Sequence, residues 1–493
     1  MTIPFKNIPS SLRVPLFYAE IDPSHANTSG PNQRALIIGQ KTTAGAGVVN
    51  VPVLSLGAAD AKTVGGPGSM LALMVDAYRK NDPFGEVWTV PVADAGGGVA
   101  ASGTLVITGP ATAAGALALY IAGQRVVIAI ASGTAANAIA ALINTAINAA
   151  TDLPVTSTVS TNTVTVTARN AGLCGNDIDM RLNYLGAAGG EVTPAGVGVT
   201  ITALASGATN PTLTTALANL GDQPFDFIVC PYTDATSLAA LTAFLNDTAG
   251  RWSWQSKIYG HYFTAFRGTL GASTTFTTTL NDQHSSTIPY NDSPTPPMIW
   301  AAALAAQAAI SVRADPATPI RSVFLQGVLA PPIQSRFTLA QRDTLLHDGG
   351  STFRVDQSGN VILEKLITTY QTNSFGQPDN SYLDAETMFT LMAVLRRLET
   401  DVTTQFARYK LAADGTKFGP GANVVTPAII RATMIAEYRQ MVDLAWVQQA
   451  DAFAAGLIVQ QDTGNPNRVN VLWDGVLIDR LDVLALLAQF RLS

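Results

Sequence analysis

The chain has 493 residues, of which 47% are hydrophobic and only 13% are Asp, Glu, Lys or Arg, and its formal net charge at pH 7 is −6. A soluble monomer of this length usually carries about twice that share of charged side chains, so we expect much of the surface to be buried against other subunits. The acidic balance without a basic cluster argues against nucleic acid as a direct partner, and no apolar run reaches the roughly 20 residues of a membrane span.

The first 33 residues are predicted to form an extended N-terminal arm. Its apolar side chains stand among prolines, and we expect six of them to take part in strand exchange between subunits: Ile3, Phe5, Ile8, Leu12, Val14 and Leu16. An apolar extended segment of this kind is typical of a strand that one subunit lends to a neighbour. No signal peptide is expected here, because the segment has no apolar central run, and folding in a cytoplasm is therefore predicted.

An α/β layer is predicted after the arm. Residues 35–40 (ALIIGQ) form a buried strand, and Ser69 is the expected N-cap of a helix. The strand and helix pattern returns at Phe225–Tyr232 (FDFIVCPY), after a long interruption. We therefore predict one discontinuous α/β core domain made of residues 34–93 and 208–345.

The interruption, residues 94–207, is predicted to be an inserted β-rich domain. It is rich in Gly, Ala, Thr and Val and nearly free of charge, which is typical of short strands joined by glycine turns. One helix is expected within it, because Ile139, Ile143 and Ile147 recur every four residues. The domain should therefore have a small apolar core of its own.

An α+β domain is predicted over residues 346–467. Two strands surround the turn at Ser358-Gly359, and two amphipathic helices follow at Asp384–Leu411 and Ala428–Phe453.

Residues 468–493 are predicted to form a second, C-terminal strand arm. Val469, Val471 and Trp473 alternate with polar residues, and an apolar stretch follows the Asp474-Gly475 turn. The expected exchange residues of this arm are Leu484, Leu486, Phe490 and Leu492. An apolar terminal strand must be covered, and the pattern leaves two possibilities open: it completes an edge of its own chain, or it pairs with another copy.

The residue types of catalytic and cofactor sites do not form a convincing pattern. The turn Gly65–Ser69 precedes a helix but lacks the Gly-Lys-Ser/Thr of a phosphate loop, so we interpret it as a capping turn. His284 stands beside Asp282, Ser285 and Ser286, but the members of a catalytic triad come from separate elements. Neither the four histidines nor Cys174 and Cys230 have metal-ligand spacing. The chain is not expected to be an enzyme, and no cofactor or metal is predicted.

Several long segments, in order along nearly the whole chain, resemble contractile tail sheath proteins of Mu-like phages. They are IPSSLRVPLFYAEID, GSMLALMVDAYRKNDPFGEVW, SPTPPMIWAAALAAQAAISVRADPATPIRS, LQGVLAPP, GNVILEKLITTYQTNSFGQPDNSYLDAET, RYKLAADGTKFGPGANVVTP and the closing LAQFRL. One stretch, DGVLIDRLDV, is more apolar than the link that the family would place before its last strand. The exact limits of the C-terminal arm are therefore open.

The resemblance implies a structural subunit of the virion tail that is assembled in the host cytoplasm. Such subunits polymerise as stacked hexameric rings around the tail tube protein, between baseplate and tail terminator proteins. Contraction drives the tube through the host cell envelope for genome ejection, without insertion of the sheath into a membrane. By the same resemblance, both arms add strands to neighbouring subunits, the C-terminal domain faces inward, and the inserted domain faces outward.

We also expect a basic helix of the C-terminal domain to contact an acidic tube. The candidate residues lie on the two predicted helices and are Arg396, Arg397, Arg408, Lys410, Arg431 and Arg439. The competing interpretation is a β-rich phage receptor-binding or surface-layer structural protein, in which the arms only oligomerise the chain.

Overall fold

The computed structural model describes residues 33–419 and 421–491. The chain enters an α/β layer whose first elements are β1 (Ala35–Gln40), β2 (Val53–Leu54), α1 (Ala58–Gly65), α2 (Met70–Asn81) and β3 (Val87–Val92). Ser69 caps α2 as predicted, since its Oγ accepts the Ala72 N–H at 3.1 Å. Helix α2 lies close on β1, because a Cβ at Gly39 would come within 2.9 Å of the Leu71 Cα.

The inserted region is β-rich, as predicted. Its elements are β4 (Ser102–Thr108), β5 (Gly115–Ile121), β6 (Gln124–Ile130), α3 (Ala136–Ala149), β7 (Val155–Ser160), β8 (Thr163–Ala168), β9 (Met180–Leu182) and β10 (Gly198–Ala205). They form a four-stranded sheet in the order β10-β4-β8-β7 and a three-stranded sheet in the order β6-β5-β9. Ile139, Ile143 and Ile147 of α3 are fully buried in an apolar cluster of this region, which therefore has its own core.

The α/β layer then resumes. Its second set of elements is α4 (Thr214–Ala218), β11 (Phe227–Val229), α5 (Ala235–Leu245), β12 (His261–Arg267), α6 (Leu270–Thr277), β13 (Ser285–Tyr290) and α7 (Pro297–Ala314). The six strands share one sheet in the order β13-β12-β11-β1-β3-β2, and β1 pairs in parallel with both β3 and β11. The core sheet is thus discontinuous in sequence, as expected. Helix α7 is long and apolar enough to cross a membrane, but two thirds of it is buried inside this core.

Ion pairs join the inserted region to the α/β core. Arg181 of β9 lies 2.9 Å from Asp292, and Arg267 of β12 lies 2.8 Å from Asp179, measured between side-chain N and O atoms. These four residues alternate in sign and are at most half exposed, so they hold the two units together more firmly than surface pairs would.

The last part of the described chain is α+β. Its elements are α8 (Leu339–His347), β14 (Thr352–Val355), β15 (Val361–Lys365), α9 (Ala385–Phe406), β16 (Lys410–Leu411), β17 (Val424–Val425), α10 (Pro427–Asp443), β18 (Val447–Gln448), α11 (Ala450–Gly456), β19 (Ile458–Gln461), β20 (Val469–Leu472) and β21 (Val476–Leu477). The helix predicted over Asp384–Leu411 is too long, because α9 ends at Phe406 and Lys410–Leu411 form β16. The single helix predicted over Ala428–Phe453 is interrupted at residues 444–449, which are not helical. Ala445 and Gln449 adopt positive φ angles, which end α10 and separate it from α11.

Candidate functional site

A small apolar core, separate from that of the α/β layer, organises the residues that follow α9. Tyr438 of α10 stacks on Phe453 of α11 with ring centroids 3.8 Å apart, and the Trp473 ring lies 5.7 Å from that of Tyr438. The Tyr438 hydroxyl donates to the Gln448 carbonyl at 2.6 Å and accepts the Val476 N–H at 3.0 Å. One tyrosine therefore joins α10, β18, α11 and β21 into one unit.

The strands β19 and β20 form a two-stranded antiparallel hairpin on this unit. Within the described ranges, neither strand pairs with any other strand, so both outer edges of the hairpin are open. Ile458, Val471 and Leu472 are exposed on it. An open edge that carries apolar side chains is a template for an added strand.

The first part of the predicted C-terminal arm folds onto its own chain. Val469 and Val471 pair with β19, and Val476 and Leu477 of β21 pair with β18. Because Trp473, between these strands in sequence, packs against Tyr438 and Phe453, the chain up to Leu477 belongs to the C-terminal domain. Intramolecular pairing, one of the two possibilities left open by the sequence, therefore holds for residues 469–477.

Beyond this point lies a segment of different character, the C-terminal tail, residues 483–493. Its described part, up to Arg491, has no helix or strand. The predicted exchange residues Leu484, Leu486 and Phe490 are 74%, 81% and 85% exposed. Leu492 lies outside the described residues, and so do the six predicted exchange residues of the N-terminal arm, Ile3, Phe5, Ile8, Leu12, Val14 and Leu16.

Three of the six basic residues predicted to face a tube are engaged inside the subunit. The Arg396 Nη1 donates to the buried carboxylate of Asp226, and Arg397 lies 3.1 Å from Glu437. Arg431 donates to the carbonyls at the end of α11, at 3.1 Å for that of Leu457. These side chains hold the C-terminal domain together and to the α/β core.

The other three, Arg408, Lys410 and Arg439, are exposed. None of them forms an ion pair with any residue of the ranges 33–419 and 421–491. Arg408 and Lys410 follow α9 directly, and the exposed Lys417 lies in the same loop. Lys417 was not among the predicted tube-facing residues, although it lies between Arg408 and the glycine-rich stretch FGPG, where an exposed loop is expected.

The residues considered for catalysis do not form a reactive arrangement. His284 lies 3.0 Å from Asp247, whereas Ser286 bonds to the other buried histidine, His261, at 2.9 Å. Both His261 and Ser286 are fully buried, and burial holds the pKa of His261 well below its usual value. The space beside the Gly65–Ser69 turn is occupied by another part of the chain, because the Leu153 carbonyl oxygen would lie 2.3 Å from a Cβ at Gly68. No group of three potential metal ligands occurs among the described residues.

Comparison with known proteins identifies the family. The profile of the phage tail sheath protein central domain matches residues 206–369. The Mu-like prophage FluMu tail sheath protein of Haemophilus influenzae is 38% identical over 494 residues, which cover 100% of both chains. This full-length identity does not favour the receptor-binding or surface-layer interpretation.

Solved sheath tail proteins overlap with the chain more loosely. The protein from Desulfitobacterium hafniense has 14% identity and a TM-score of 0.49, with 94% of this chain and 96% of that chain covered. The protein from Listeria innocua has 13% identity and a TM-score of 0.48, with 92% and 94% covered. These overlaps are too low to add to the assignment, which rests on the Haemophilus relative. The chain belongs to the tail sheath protein family of Mu-like phages.

Proposed function

We propose that this chain is the structural subunit of a contractile tail sheath. Copies of it polymerise in the host cytoplasm as stacked hexameric rings around a tail tube protein, between baseplate and terminator proteins. Contraction drives the tube through the cell envelope so that the genome is ejected. No reaction at a catalytic site is part of this role. The observation that carries the proposal is a tail of exposed apolar side chains on a subunit whose own hairpin has open edges.

The chemistry of the tail supports strand exchange between copies. Each of Leu484, Leu486 and Phe490 gains about 1.5–3 kcal/mol when it leaves water, and an added strand also forms main-chain hydrogen bonds of about 1 kcal/mol each. In an extended strand these even-numbered residues would share one face, whereas Gln489 and Arg491 would share the other face with Val483 and Leu487. A neighbour's β19–β20 hairpin offers the open edge that such a strand needs.

The pattern also suggests how a sheath shortens without coming apart. Each subunit moves as a rigid body, while the exchanged strands stay paired and their linkers change direction. Contacts that are absent in the extended state form during contraction, and they supply the free energy. A kinetic barrier keeps the extended state in place until the baseplate releases it.

Substitutions on the two faces of the tail test strand exchange. The triple variant Leu484→Ser, Leu486→Ser, Phe490→Ser should fold normally and fail to form cylinders in negative-stain microscopy, because the buried face of the exchanged strand loses its apolar contacts. The matched control, Gln489→Ser with Arg491→Ser, changes the opposite face and should assemble like the wild type. Cylinders of normal length from the triple variant would refute exchange through this tail.

A second surface, the basic loop that carries Arg408, Lys410 and Lys417, is proposed to contact the tube. Free cations on a loop attract an acidic surface, whereas Arg396 and Arg397 are already paired within the subunit. The variant Arg408→Glu with Lys410→Glu should reduce co-sedimentation with purified tubes at least about tenfold, since each like-charge contact costs several kcal/mol. The single variant Arg439→Glu tests, in the same assay, whether the exposed face of α10 contacts the tube. If the loop variant bound tubes fully and Arg439→Glu did not bind them, the contact would lie on α10 instead.

A further inference from the structure

Five charged residues hold the root of the C-terminal tail against its own subunit. The Asp482 carboxylate pairs with Arg321, whose Nη1 lies 3.3 Å from Oδ1, and with the Lys365 Nζ. The Lys365 Nζ also lies 3.1 Å from Asp384, and Arg480 lies 3.7 Å from the same carboxylate. We call these five residues the anchor cluster.

The anchor cluster joins three parts of the fold. Arg321 lies after α7, Lys365 is the last residue of β15, and Asp384 is the N-cap of α9. The Arg321 Nη2 also donates to the Leu481 carbonyl. The chain that leaves β21 therefore passes from the small core around Tyr438 to residues at the edge of the large core of the α/β layer, in which Leu366 and Ala385 are buried.

The pairs are partly shielded from water. The Arg480 side chain is only 9% exposed, and its Nη1 donates to the Thr387 Oγ1 at 2.9 Å. Burial opposes the charge of Lys365, but hydrogen bonds and charges from Asp482 and Asp384 outweigh it and raise its pKa. Shielded, hydrogen-bonded pairs hold a chain more firmly than exposed ones.

We propose that Arg321, Lys365 and Arg480 are positioning residues for strand exchange, because they fix the point at which the tail leaves the subunit. The inference rests on the proposed function of the tail. Phe490, the last described exchange residue, lies eight residues beyond Asp482, and a fully extended chain of that length spans about 26 Å. Without the anchor cluster the free chain would begin after Leu477, thirteen residues before Phe490, and would span about 43 Å. For an accepting edge within the shorter reach, the anchor cluster raises the effective concentration of the tail.

Limited proteolysis of the full-length chain tests the anchor directly. We expect trypsin to cleave after Arg480 only when this side chain leaves its buried position, whereas Arg491 is already exposed. The variant Arg321→Gln with Lys365→Met weakens the anchor and leaves the sequence around the cleaved bond unchanged. Release of the peptide Leu481–Arg491, followed by mass spectrometry, should be about five to ten times faster in the variant, because cleavage follows the population of the open form.

A control and an assembly assay separate the possible outcomes. Lys257→Met removes a remote ion pair to Glu399 and should cleave like the wild type. The anchor variant should also need an about threefold higher concentration to form cylinders. Equal cleavage of wild type and anchor variant would overturn the proposal. Faster cleavage with an unchanged concentration for assembly would overturn the positioning role, whereas a wild type that forms no cylinders at all would count against the proposed function instead.

Discussion

Replacing Arg396 with methionine should lower the free energy of unfolding by about 3–5 kcal/mol, the usual result of removing one partner of a buried ion pair. The Asp226 side chain is 1% exposed, and its two oxygens accept from the Arg396 guanidinium and from the Arg34 N–H at 3.2 Å. Without Arg396 a buried carboxylate would keep only the Arg34 N–H among these donors. The pair also joins α9 to the start of β11, so its loss should loosen the C-terminal domain from the α/β core.

Urea denaturation at several pH values provides the measurement. Burial raises the pKa of Asp226, and Arg396 opposes that rise. In the variant, the Asp226 carboxyl should therefore titrate at a still higher pH. An acid whose pKa is higher in the folded than in the unfolded state destabilises the folded state as the pH rises from the unfolded-state pKa through the folded-state pKa. The defect of Arg396→Met should therefore be larger at pH 7 than at pH 4.

Two further variants check the cause. Adding Asp226→Asn to Arg396→Met should restore part of the lost stability, since the buried charge is removed while an acceptor for Arg34 remains. Arg397→Met should cost no more than about 1 kcal/mol, because its pairs are more exposed. Equal losses at Arg396 and Arg397 would contradict the assignment of the buried pair.

Replacing Tyr438 with alanine should unfold the small C-terminal core without unfolding the α/β core. The change removes a buried ring stacked on Phe453 and leaves the Gln448 carbonyl and the Val476 N–H without their shared partner. Loss of a buried aromatic ring costs about 3–5 kcal/mol, which is a large share of what so small a cluster can contribute. Since β21 leads to the anchor cluster, cylinder assembly should be lost as well.

Hydrogen exchange followed by mass spectrometry distinguishes local from global loss. Amides of β18 and β21 should exchange much faster in Tyr438→Ala, while those of β1 and β12 should keep their wild-type protection. Tyr438→Phe retains the ring and should cost only about 1–2 kcal/mol. Faster exchange throughout the chain would mean that the C-terminal core is not an independent unit.

The elements of the α/β core could be predicted from local sequence. A mostly apolar strand such as Ala35–Gln40 is covered on both faces, and Ser69 accepts the N–H of Ala72, only three residues away. The change in composition at residue 94 likewise marked the insertion. Where prediction failed, as at the end of α10, the chain turns at Ala445 and Gln449, which are not typical of positive φ angles.

The roles of charged side chains could not be predicted in the same way. Arg396 resembles any other cation on an amphipathic helix, but its partner Asp226 lies 170 residues earlier in the chain. The anchor cluster was missed for the same reason, because Lys365 and Asp482 are 117 residues apart. Only the folded structure determines which cations form ion pairs within the subunit and which, such as Arg408 and Lys410, remain exposed for a partner.

The sequence alone established that residues 1–33 and 468–493 are rich in apolar side chains and that the charge content is low, and these features predicted a surface buried against other subunits. Local patterns of burial and alternation suffice for those conclusions, since they depend on neighbouring residues only. The tertiary structure decided where the C-terminal arm divides: residues 469–477 complete strands of their own domain, and residues 483–491 remain exposed. A strand can pair only with an edge that the folded chain leaves within reach, and the positions of such edges are set by contacts between distant parts of the sequence.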